Sequence, residues 1–117
     1  MTLSGTSADA YRRMTRGVVL STLYMAWHEG LTDPARNRTM GRTVLEMTLT
    51  QRAAMPPRED LTRAVDWLEG AGYVEVEWGM DDRRTYDTLT LTQKGIDLYE
   101  NRRAAQVEPG VALPPRR

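Results

Sequence analysis

Apolar residues recur along this chain at two periods, and the change from one to the other falls near residue 73. Before it the spacing is helical. Asp9 can cap a helix running to about Glu29, with Gly30 as its stop. On that helix Tyr11, Met14, Val18 and Met25 share one face, while Leu20, Leu23, Tyr24 and Trp27 lie on the opposite side. Apolar residues on both sides predict burial on both sides, against the rest of the domain or against a second copy. Leu31–Thr39 reads as a loop around Asp33-Pro34, and a second helix is expected over Met40–Arg52. That helix should be buried through Val44, Leu45 and either Met47 or Leu49. Pro56-Pro57 ends this stretch, and Pro57 suits the first turn of a third helix, Arg58–Gly70. There Leu61, Ala64, Val65 and Leu68 make an apolar stripe at i, i+3, i+4, i+7.

After Gly72 the period becomes two. Val74, Val76 and Trp78 alternate with Glu75 and Glu77, the pattern of a strand with one buried and one wet face. Gly79–Arg84 (GMDDRR) is a loop, and Thr85–Leu91 a return strand with Leu89 and Leu91 inward. Thr92 caps a last helix that buries Ile96 and Tyr99. Residues 1–8 are expected to be disordered, residues 9–104 to form one domain, and residues 105–117, rich in proline, to be a flexible tail. Three helices, a two-stranded antiparallel wing and a C-terminal helix make an α+β winged helix-turn-helix, with GMDDRR as the wing tip.

Leu61–Tyr99, with its "WLEGAGYV" elbow and "LTLTQKGIDLY" run, resembles the general winged-helix pattern. More narrowly, the chain is similar to small winged-helix proteins encoded in Mu-like phages and prophages. The features that carry this are the Arg-rich, apolar first helix, Trp67-Leu68 before Gly72, and the closing Pro109-Gly110-Val111 segment with its basic end at Arg117. The resemblance implies a DNA-binding regulator of transcription acting on double-stranded DNA, and the two-sided first helix adds the expectation of a homodimer.

Charge complicates that expectation. The net charge is zero, and 27% of residues are charged. Residues 1–58 hold eight Arg against four acids, a net of +4, whereas residues 59–100 hold four basic residues against eleven acids, a net of −7. The acidic stretch contains the helix and hairpin that a winged helix turns toward DNA. On the third helix Thr62 and Arg63 are the candidates for base contact. Arg36, Arg38, Arg42 and Arg58 are the candidates for phosphates, and Arg83 and Arg84 for wing contacts. The alternative is a protein–protein interaction module. In it Glu75, Glu77, Asp81, Asp82 and Asp87 form an acidic hairpin surface, with an exposed Trp67 as anchor.

Little in the chain suggests catalysis. There is no cysteine, so disulfides and thiolate metal sites are excluded. His28 is the only histidine, and Asp81, Asp82 and Asp87 lack the glycine and terminal glutamate of a calcium loop. No phosphate-cradling glycine motif occurs. The reading is therefore a non-enzyme without metal or cofactor. With neither a signal peptide nor a membrane span in the sequence, a cytoplasmic location is expected.

Overall fold

Helix α1 (Gly5–His28) runs through the middle of the molecule, and everything else is laid against it. The computed structural model describes residues 5–79 and 85–114; residues 1–4, 80–84 and 115–117, and with them most of the loop expected as a wing tip, lie outside the described residues. Residues 5–8, expected to be disordered, form the first turn of α1. Val19, Leu20, Leu23 and Ala26 of α1 are buried. The expected second buried face is incomplete. Val18 and Met25 are half-buried, but Tyr11 and Met14 are exposed at 38% and 58%.

The chain then forms β1 (Thr39–Gly41), α2 (Arg42–Gln51), α3 (Arg58–Gly70), β2 (Val74–Trp78), β3 (Tyr86–Leu91), α4 (Gln93–Glu100) and α5 (Arg102–Val107). The result is an α+β fold whose antiparallel sheet has three strands in the order β1-β3-β2. The expected hairpin of β2 and β3 is present, and β1 is an addition to it. Thr39 pairs with Thr90 and Met40 with Leu89, and the Thr39 and Thr90 hydroxyls lie 2.8 Å apart. Arg38, with φ of 67°, turns the loop into this strand. Because β1 takes Met40, α2 starts two residues later than expected. Leu45 and Leu49, one turn apart, face the core, which leaves Val44 and Met47 exposed.

Helix α3 follows its sequence pattern closely, burying Leu61, Ala64, Val65 and Leu68 against α1. Leu61, Val65 and Leu68 each contribute about 1.5–3 kcal/mol on burial, and the Ala64 methyl less. Gly72, at φ of 86°, ends the helix in the left-handed conformation that a side chain would oppose. The Tyr73 N–H reaches back to the Leu68 carbonyl at 3.0 Å, and β2 begins. Thr92 fastens this elbow to α4. Its hydroxyl donates to the Gly72 carbonyl at 2.7 Å and accepts from the Gly95 N–H at 3.1 Å.

The C-terminal segment departs most from expectation. It was expected to be flexible from residue 105; instead α5 packs against α4, and a following strap, residues 108–114, lies on α1 and α3. Asn101 caps α5 by accepting from the Ala104 N–H at 3.1 Å. The strap is anchored along its length. Glu108 accepts a hydrogen bond from the Tyr73 hydroxyl, the Ala112 N–H donates to the Arg13 carbonyl at 3.0 Å, and Val111 is buried in the core. Gly110 lies on the Trp67 ring, and the Arg16 guanidinium sits 4.2 Å over that ring while donating to the Gly110 carbonyl at 3.1 Å. Trp67, expected as an exposed anchor, is therefore covered by the chain's own strap.

Candidate functional site

The starts of α2 and α3 stand side by side, and each opens on an arginine. Gly41 and Pro57 occupy the N-cap positions, and neither helix start is capped by a side chain. The first backbone N–H groups of both helices, with Arg42 and Arg58, are positive on this side, and Glu59 and Asp60 in the first turn of α3 oppose them. Between them and the root of the hairpin lies a groove of about 720 Å³. Its lining includes Arg42, Arg58, Arg63 and Thr62 from the helices and Trp78 and Tyr86 from the strands.

Carboxylates share the groove. Glu46, Glu59 and Asp66 line it as well, three against three arginines. Arg58 pairs with Glu46 at 3.4 Å, while Arg63 meets Asp60 at 3.5 Å and Glu59 at 4.0 Å. Arg42 has no ion-pair partner among the described residues. The Arg58 and Arg63 side chains are 81% and 76% exposed. The Arg63–Glu59 pair is exposed on both sides and contributes about 0–1 kcal/mol, whereas the Glu46 side chain is only 18% exposed, so Arg58 is held to it more firmly.

The other candidates fall elsewhere. Thr62 reaches the groove, but its hydroxyl donates to the Arg58 carbonyl at 3.0 Å, so that proton is committed within the helix. Arg36 crosses the outer face of the sheet to pair with Glu77. That contact, first the hydrogen bond and then the charge, holds the Glu77 carboxyl below its ordinary pKa. Arg38 turns toward α1 and stacks 4.9 Å from the centre of the Trp27 ring. Arg83 and Arg84 lie outside the described residues. Of the eight candidates, the structure thus brings Arg42, Arg58, Thr62 and Arg63 together and separates Arg36 and Arg38 from them. A second cavity of about 260 Å³, lined by Tyr11, Arg12, Arg16, Asp60 and Arg63, continues this side onto α1. Tyr11 donates to Asp60 there at 2.9 Å.

Sequence reasoning missed Tyr86. It is 1% exposed and lines the groove, yet its hydroxyl has no hydrogen-bond partner among the described residues. Burial first, and then the nearby Glu46 charge, raise its pKa above the ordinary phenol value, so the hydroxyl keeps its proton. The signal was a bulge. A register shift between Glu77 and Trp78 sets Trp78 opposite Tyr86, so Tyr86 turns inward while Asp87 stays exposed.

Among the described residues no cluster of His, Asp or Glu could hold a metal ion, and no helix is long and apolar enough to cross a membrane. A search of protein families, of curated proteins and of solved structures finds no match for this chain.

Proposed function

We propose that this chain is a winged helix-turn-helix protein that binds duplex DNA through the groove at the starts of α2 and α3, and that it acts as a regulator of transcription. Supporting the reading is the order of elements, α1-β1-α2-α3-β2-β3, with α2 and α3 joined by a short turn and followed by a hairpin. The single observation that carries it is the convergence of Arg42, Arg58 and Arg63 on one groove beside two helix starts without side-chain caps. In this arrangement Arg42 and Arg58 hold backbone phosphates. Arg63, one turn further along α3, approaches a base edge or the next phosphate.

The three carboxylates in the same groove set the character of the binding. They weaken non-specific attraction and make the complex depend on the arginines being engaged together. Three neutralised phosphates give log Kobs against log salt a slope of about −3. The test is duplex binding by fluorescence anisotropy across a salt series. Arg42→Ala and Arg58→Ala should each flatten the slope by about 1, and Arg63→Ala should cost about 1–3 kcal/mol. Absence of binding at low salt, or binding indifferent to all three changes, would sink the proposal. The protein-partner alternative rests on the acidic hairpin surface, of which Glu75, Glu77 and Asp87 are exposed, but its expected anchor, Trp67, lies under the strap.

A further inference from the structure

Among the described residues Tyr86 is a large polar side chain that is fully enclosed, lines the groove, and carries a buried hydroxyl without a hydrogen-bond partner. A buried donor left unpaired is destabilising, and such groups are uncommon unless something else satisfies them. Around this hydroxyl stand Arg42 and Arg58, the two arginines that open α2 and α3. Glu46, the carboxylate nearest to it, is paired with Arg58.

We propose that the floor of this groove is a phosphate seat, in which the Tyr86 hydroxyl donates to a phosphate oxygen whose charge is balanced by Arg42 and Arg58. The inference deepens the DNA-binding reading and shares its groove. Both helices are long enough to carry a dipole, at 10 and 13 residues, and both start without a side-chain cap. A phosphate has several oxygens to offer, so it can meet a hydroxyl, two guanidinium groups and backbone N–H groups at once. On binding, Arg58 keeps Glu46 on one side and turns its remaining N–H groups to the phosphate. The same chemistry fits a phosphodiester of a duplex or a free phosphate group, and the experiment has an arm for each.

The variant is Tyr86→Phe, which keeps the ring in the core and removes only the hydroxyl. Its melting temperature should equal or exceed that of the native chain, because an unpaired buried donor is gone. In the first arm its affinity for a duplex is measured across a salt series. The expected result is a loss of about tenfold with an unchanged slope, since a neutral donor releases no counterion. Arg42→Ala, at an exposed position, repeats the measurement without touching the core and should flatten the slope by about 1. In the second arm inorganic phosphate is titrated while the amide resonances of residues 41–43 and 58–60 are followed. Shifts in the native chain that vanish in Tyr86→Phe support the seat.

If the native chain ignores the duplex but shows Tyr86-dependent shifts with phosphate, the seat stands for a free phosphate and the DNA reading falls. If the duplex binds and Tyr86→Phe binds it equally well, with no Tyr86-dependent shift, the seat falls and the DNA reading survives. If neither probe has any effect, both are overturned.

Discussion

At Gly110 a single methyl group has no room. A Cβ there would lie 2.1 Å from the Trp67 ring, which is itself held between the strap and Arg16. Gly110→Ala should therefore lift the strap or displace the ring, at about 1–3 kcal/mol by the usual cost of overpacking. The denaturant midpoint checks this, and an unchanged midpoint would mean that the strap contributes nothing to stability. Whether a residue's role could be read from the sequence depended on how local its cause was. The stripe Leu61, Ala64, Val65 and Leu68 follows from helical period alone, and the structure buries all four. Val44 was expected to be buried and is exposed, because the core takes the Leu45–Leu49 face of α2 and Val44 lies about 100° round the helix from Leu45. Tyr86 was invisible because its inward turn comes from an extra residue in β3, Asp87, which shows only in the pairing with β2. Arg63 and Arg36 look equivalent as letters. One lies in the groove, while the other is spent on Glu77 across the sheet.

The helices with their own punctuation were found nearly whole. Pro57 and Gly72 bound α3, and Thr92 opens α4. What the chain alone hid were the elements whose only reason to exist is a distant partner. Strand β1 is three residues long and is defined by β3, some fifty positions away. The strap has no period at all and is fixed by α1, Trp67 and Tyr73. Its contact with Tyr73 makes a prediction about alkali. Burial, and then the hydrogen bond to Glu108, push the Tyr73 hydroxyl from 10.0 up to about 12. A pKa raised on folding means that the neutral form favours the folded state. That contribution is complete below about pH 10 and is lost as the pH rises through about 12. Stability measured by denaturant between those values should fall more steeply for the native chain than for Tyr73→Phe. Tyr86 also has a raised pKa and contributes equally to both, so the difference isolates Tyr73. Identical slopes would remove the claim that this hydrogen bond fastens the strap.

For the molecule as a whole, the sequence posed a question of charge that only folding could answer. Zero net charge conceals a basic first half and an acidic stretch after it. The fold gathers three of the arginines onto one side, and there it also supplies three carboxylates. On the proposed reading the carboxylates offset part of the arginines' attraction, and duplex binding should follow salt with a slope of only about −3. The strap has a different consequence, in time. Arg16 and Gly110 are 94 positions apart, and Arg13 meets Ala112 across a similar span. Closing so long a loop is entropically unfavourable until the core already holds most of its length. The clasp should thus form after the rate-limiting barrier to folding. In a stopped-flow chevron Gly110→Ala should leave the refolding limb where it is and speed unfolding alone. A refolding limb slowed in proportion would place the clasp in the nucleus instead.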